Sequence, residues 1–323
     1  MTRKQLLLLL AKLVFSALLL WLVLTKVDVA GIVTRLRTAD VRWLLPSLLI
    51  GPVVVAFSAL RWQVLGLGLL GFGEAVRYTW IGLFFGSIVP GFVGGDVAKG
   101  VSLAAKTKGA RDSRLPVSIF MDKLVGFWIL LLGFILVALA LLASEPQLLA
   151  GMRRGLWAAG GTTTLGLAAG IAICHPRGAV FFATLAKRLP TGWLRGIATR
   201  VLSALGAYSG QSRVLLLAAL LSGAIHALNA FSFWLVMRSL AIPASIWFAA
   251  VFYPMLSVLL ALPVSVSGVG MRDVFAASMF TAFGLNPESG VAFSWLLLGL
   301  SVPNALIGGC LQLWEMFHRR SAD

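Results

Sequence analysis

Residues Val89 to Gly100 read VPGFVGGDVAKG, a proline, four glycines, an aspartate and a lysine set inside a strongly apolar chain. Proline has no amide hydrogen and clashes with the preceding helical turn, so it ends or bends a helix that reaches it. Glycine lets the backbone turn sharply with no side chain in the way. Flanked by apolar sequence on both sides, the stretch predicts a helix broken within the hydrophobic layer rather than a plain span. Leu262 to Asp273, LPVSVSGVGMRD, repeats the arrangement. Pro90 corresponds to Pro263, Gly94 and Gly95 to Gly268 and Gly270, and Lys99 to Arg272, with Asp96 and Asp273 close to the two cations.

The composition sets the surroundings of these two stretches. Of 323 residues, 59% are hydrophobic and 12% charged, and the mean hydropathy is +0.96. This excludes an ordinary soluble domain. Several segments reach the roughly 20 apolar residues that cross a bilayer core, which predicts a helical bundle rather than a barrel. Firm spans are expected near 6–24, 43–65, 116–143, 155–174, 214–238 and 291–313. The first is basic and then apolar, without a small-residue cleavage site, and reads as a retained helix. The stretches Ala75–Ala105 and Ile246–Phe283 are apolar but interrupted, each by one of the two motifs. Cys174 and Cys310 are isolated and define no disulfide framework.

Lys and Arg total 27 against 11 acids. In a membrane chain such an excess follows topology, because loops kept in the cytoplasm collect basic residues, and nucleic acid is not implied. Attraction to anionic headgroups, at about 1 kcal/mol per basic residue, is the functional counterpart. Lys99, Lys106, Lys108, Arg111 and Arg114 crowd one connection, Arg177 to Arg213 another, and Arg319 and Arg320 the end of the chain. Placing all three inside puts both termini in the cytoplasm. The first broken stretch then enters and leaves from the cytoplasmic side and the second from the outer side, so two re-entrant hairpins meet near the midplane. Lys26 to Arg42 falls outside although it carries Lys26, Arg35, Arg37 and Arg42 against Asp28 and Asp40, and it predicts a short helix lying flat on the membrane. Residues 175–213 form the corresponding cytoplasmic surface segment.

The expected fold is therefore an all-α integral membrane protein, a multi-pass helical bundle with two Gly/Pro-broken re-entrant hairpins in pseudo-repeated halves. One domain covers 1–323, its first half about 1–143 with broken segment 75–105 and its second about 155–313 with broken segment 246–283. Paired interrupted segments of this kind point to a substrate site. A broken helix leaves free N–H groups at the start of its outgoing half, and with the helix dipole and a first-turn cation these attract an anion such as phosphate. The other reading is structural: Asp96 and Lys99, three residues apart, pair with each other, Arg272 and Asp273 pair with neighbours, and the glycines only permit close packing.

Further candidates are Asp122 and Lys123, in SIFMDKLVGF, and His226 with Asn229, in SGAIHALNAFSFW. The first two read equally as a site or as an ion pair that holds the bundle. A histidine within a span can carry a proton or contact a headgroup, or make a bond between helices. Arg61, Trp62 and Trp43 read as interfacial anchors, and Pro303-Asn304 as a kink. Three scattered histidines have no metal spacing, no nucleophile elbow or NTPase loop occurs, and neither a cofactor nor a catalytic residue is expected.

Over nearly its whole length the chain resembles the lysylphosphatidylglycerol synthase transmembrane-domain family, flippase-like membrane domains. The family pattern of Pro with Gly-Gly-Asp is matched by Pro90, Gly94, Gly95 and Asp96, and that of Pro with Gly-x-Gly-x-Arg-Glu by Pro263, Gly268, Gly270, Arg272 and Asp273. Asp122-Lys123 stands where an acidic-Arg pair is expected. Lysine replaces the family arginine at Lys99 and Lys123, without bidentate phosphate geometry, and the family asparagine is replaced around Gly86-Ser87. The resemblance implies movement of a lipid between leaflets; with the residue reading, the expectation is an anionic or polyprenyl-phosphate lipid of a bacterial inner membrane, with Pro90, Gly94, Gly95, Asp96, Lys99, Asp122, Lys123, His226, Asn229, Pro263, Gly268, Gly270, Arg272 and Asp273 in the substrate site. No soluble domain follows Asp323, so aminoacyl transfer is not expected. Two alternatives stand beside it: a lipid-phosphate transferase with Asp96 or Asp273 as base, and a non-catalytic partner that docks a lipid-modifying or glycan-synthesis enzyme on the basic 177–213 loop.

Overall fold

The computed structural model describes residues 14, 16–25, 27–88, 95–96, 99–100, 114–144, 211–261 and 268–320, with single positions between 161 and 210. Its helices are α1 (Ser16–Leu24), α2 (Val29–Arg37), α3 (Val41–Leu65), α4 (Phe72–Ile88), α5 (Arg114–Ser144), α6 (Ser212–Ser239), α7 (Ile246–Ala261), α8 (Met271–Ala282) and α9 (Pro287–Arg320). Among the described residues there is no strand.

Four helices are long and apolar enough to cross a membrane: Val41–Leu65, Leu115–Leu141, Ser212–Ser239 and Pro287–Phe317. They meet four of the expected spans. The chain is thus a multi-pass, all-helical membrane protein. The expected 6–24 span is described only in part, while the 155–174 span and the 175–213 surface segment lie, apart from single positions, outside the described residues.

Hydrocarbon around a helix forces its amides to bond internally, so prolines survive there only with local help. Pro46 and Pro52 lie within α3, Pro254 within α7 and Pro303 within α9. Next to Pro303, the Asn304 side chain donates to the Leu300 carbonyl at 3.4 Å and also fills the space beside Gly51 of α3. The helix continues through the proline.

The chain forms two compact units. The larger comprises Met1–Ala56, Val76–Lys108 and Ala227–Asp323, the smaller Phe57–Ala75 and Gly109–His226. In the larger, Phe248, Phe252, Phe280 and Phe293 form an aromatic core, with Phe252 5.8 Å from Phe280 and 5.5 Å from Phe293. Gly290 lets α9 approach the Ala276 carbonyl of α8, while Gly308 and Gly309 admit Trp80 and Phe84 of α4. In the smaller, Leu65, Met121, Val125, Tyr208 and Ala218 are packed together. The Tyr208 hydroxyl donates to the Leu65 carbonyl.

At the start of the larger unit α2 turns 92° from α1. Asp28 caps it, accepting from the Ala30 amide at 3.0 Å.

Candidate functional site

The second broken stretch is interrupted where its sequence requires. α7 ends at Ala261, ahead of Pro263, and α8 starts at Met271, after two glycines with left-handed backbones, Gly268 at φ 73° and Gly270 at φ 78°. That region is open to glycine and strained for most other residues. Gly270 is also tight, since an added Cβ would lie 2.6 Å from the Ser16 carbonyl oxygen and 2.8 Å from the Leu19 Cβ of α1.

Arg272 and Asp273 occupy the first turn of α8, 7% and 1% exposed. Asp273 is fully engaged. It accepts from the Gly270 amide at 2.9 Å and from the Ser294 hydroxyl of α9. The amides expected to be bare are mostly used as well: Arg272 N–H goes to the Gly268 carbonyl and Val274 N–H to that of Gly270, each at 2.9 Å. The guanidinium differs. Arg272 Nε is buried and has no hydrogen-bond partner among the described residues. A buried donor to which water and protein are both denied costs about 1–3 kcal/mol, and more when charged. An arriving anion would remove that penalty, and the positive end of the α8 dipole favours it.

The first broken stretch is seen through Gly95, Asp96, Lys99 and Gly100; Pro90 and Gly94, like Pro263, lie outside the described residues. Lys99 Nζ is 3.7 Å from Asp96 Oδ1, with Asp96 buried and Lys99 mostly buried. The pairing reading of these two charges is therefore what the structure shows. The lysine stem runs over Gly82 of α4, where an added Cβ would lie 2.7 Å from Lys99 Cε, and Gly95 packs against Gly82 and Gly86. Gly82 and Gly86 are the small residues four apart that let a backbone approach a helix face. Their spacing in WIGLFFGSI is the sequence signal that marks this face. Ser294 carried no such signal, because a serine in an apolar helix usually bonds its own backbone.

Asp122, of the smaller unit, pairs with Arg61 of α3, Nε to Oδ1 at 2.7 Å. Arg61 Nη1 donates to the Ser222 hydroxyl at 3.0 Å, and Gly126 leaves room for the guanidinium. This corrects the expectation that Arg61 and Trp62 are interfacial anchors. Arg61 is 8% exposed, and Trp62 is buried with its indole N–H donating to Ser118 at 3.2 Å. His226 Nε2 is 2.9 Å from the Gly126 carbonyl oxygen, a bond between α6 and α5. Lys123 and Asn229 are partly buried. The candidates thus fall into three groups: Asp96 with Lys99, Arg272 with Asp273, and Arg61 with Asp122, Ser222 and His226. Among the described residues no three His, Cys, Asp or Glu side chains could hold a metal.

Along α9, Ser294, which meets Asp273, and Gly308, which meets Trp80 and Phe84 of α4, are separated by about 21 Å of helix axis.

A family model described as the lysylphosphatidylglycerol synthase TM region matches residues 9–308. No curated protein matches the sequence.

Proposed function

Because the chain belongs to the lysylphosphatidylglycerol synthase TM region family, we propose that it moves a lipid with an anionic or phosphate-bearing headgroup between the leaflets of a bacterial inner membrane, its termini in the cytoplasm. The observation that carries this reading is Arg272, a buried guanidinium whose Nε has no partner among the described residues, at the start of a helix whose own carboxylate is already occupied. Guanidinium suits phosphate, which it can grip with two parallel N–H bonds. Gly268 and Gly270 hold it there. Lys99, paired with Asp96 at 3.7 Å, is the second cation of this reading. The tails stay in lipid, and rocking of one part of the bundle against another exposes the headgroup to each side in turn.

The reading assigns the chain no chemistry of its own. A general base needs a carboxylate within reach of a proton and free to take it. Asp96 faces Lys99, and Asp273 is held by Gly270 and Ser294. Both facts weigh against the transferase alternative.

Purified protein reconstituted in liposomes with a panel of labelled phospholipids and polyprenyl phosphates tests the proposal. Arg272→Ala is expected to slow leaflet exchange of the preferred anionic lipid about tenfold or more, the equivalent of one charge-assisted hydrogen bond. Lys99→Ala is expected to slow it less. Equal exchange in wild type and both variants, or no exchange of any lipid by wild type, overturns the reading.

A further inference from the structure

One face of the larger unit carries an arrangement that the translocation reading does not use. α2 ends in Arg35 and Arg37, and three residues later Asp40 and Arg42 open α3. The Asp40 amide donates to the Ser239 carbonyl at the end of α6 at 2.9 Å, which brings Arg238 to the same place. There the Arg238 guanidinium lies 5.4 Å from the centre of the Trp43 ring and 5.8 Å from that of Trp234, two indoles packed edge-on at 5.9 Å. Arg37, Arg42 and Arg238 are exposed and Arg35 is half-buried.

The nearby acids do not neutralise these cations. Asp40 accepts from the Arg42 amide at 2.9 Å, not from a guanidinium. Asp28 caps the far end of α2, and Glu288 sits near Gly31 by that same end. None of the four arginines makes an ion pair among the described residues, where the pairs are Arg61–Asp122, Arg77–Glu315 and Lys99–Asp96. α2 lies at 92° to α1 with Val29 and Val33 exposed on the face that also bears Arg37, so the cluster sits where a membrane surface would run. Aromatic rings at this level belong in the headgroup region. Indole faces beneath Arg238 hold its plane while its N–H edges stay open.

We infer that Arg35, Arg37, Arg42 and Arg238, set on the Trp43–Trp234 pair, form a docking surface for anionic phospholipid headgroups at the membrane face where α3 begins and α6 ends. Charge complementarity names the occupant: a phosphodiester lipid with net negative charge satisfies guanidinium edges that have no carboxylate, and a zwitterionic lipid brings a cation with it. The inference does not depend on translocation.

The full chain, purified in detergent and exposed to an equimolar mixture of phosphatidylglycerol and phosphatidylcholine, is read by native mass spectrometry for the lipid it retains. Wild type is expected to prefer phosphatidylglycerol by about tenfold, the scale set by a few basic residues at a surface. The variant carrying Arg35→Gln, Arg37→Gln, Arg42→Gln and Arg238→Gln is expected to lose that preference. Arg213→Gln, at the opposite end of α6, is expected to keep it. If the fourfold variant fails to fold, salt decides on wild type: a preference built on exposed charge falls steeply as ionic strength rises. An unchanged preference in the fourfold variant, an equal loss in Arg213→Gln, or indifference of wild type to salt overturns the inference. So does displacement of the lipid by glycerol phosphate at comparable concentration, which would mark a site for a free phosphate.

Discussion

A lone arginine near the end of an apolar helix can place its charge in two ways, out among headgroups or against a carboxylate inside the bundle. Arg61 does the second, with Asp122, and Gly126 provides the space. Breaking a buried pair from one side strands the other charge at about 3–5 kcal/mol, whereas replacing both partners by apolar residues is often close to neutral. Asp122→Asn is accordingly expected to destabilise the protein far more than Arg61→Met combined with Asp122→Leu, as read by thermal unfolding in detergent. Tyr208 lies outside the spans, and burial first and the Asp122 charge second push its phenol up to about 12. Its folded value is above the ordinary value of 10, so the protonated phenol stabilises the fold fully below about pH 10 and the contribution is lost as pH rises toward 12. Tyr208→Phe is expected to remove this pH dependence from the unfolding curve, together with the bond to the Leu65 carbonyl.

At the scale of elements, close helix contacts rest on glycines. Gly308 admits the Trp80 backbone, and Gly270 admits α1 while holding a left-handed turn. Gly308→Leu is expected to separate α9 from α4, with an overpacking penalty of about 1–3 kcal/mol or more, measured as a lower unfolding midpoint. Gly270→Ala combines the clash at Ser16 with a strained backbone, and it is expected to reduce leaflet exchange as well as stability, since it displaces the turn that carries Arg272. The second break was legible, because proline and glycine act locally on the chain and act the same way in any fold. The partners of the breaks were not. Nothing in LPVSVSGVGMRD names Ser294, and nothing in GGDVAKG names Gly82, since contacts between residues distant in the chain depend on how the helices are arranged.

At the scale of the molecule, a helix that crosses the bilayer places its own two ends on opposite sides. Thr38 lies two residues before Asp40, whose amide reaches the Ser239 carbonyl at the end of α6, and Gln211 immediately precedes the start of that helix. In a background without Cys174 and Cys310, Thr38→Cys and Gln211→Cys are expected to react with a membrane-impermeant thiol reagent from opposite sides, Gln211→Cys only in inside-out vesicles. Labelling of both from one side would end the assignment of cytoplasmic termini. The long apolar runs made this a helical membrane protein without reference to any contact, because a span must satisfy its own amides wherever it stands. The broken stretches were equally local. Which charges are paired within the protein was a different matter. Asp96 with Lys99, Arg61 with Asp122, and Asp273 with Gly270 and Ser294 became distinguishable, as did Arg272 Nε without a partner among the described residues, because a buried ion is defined by what lies within a few ångströms of it.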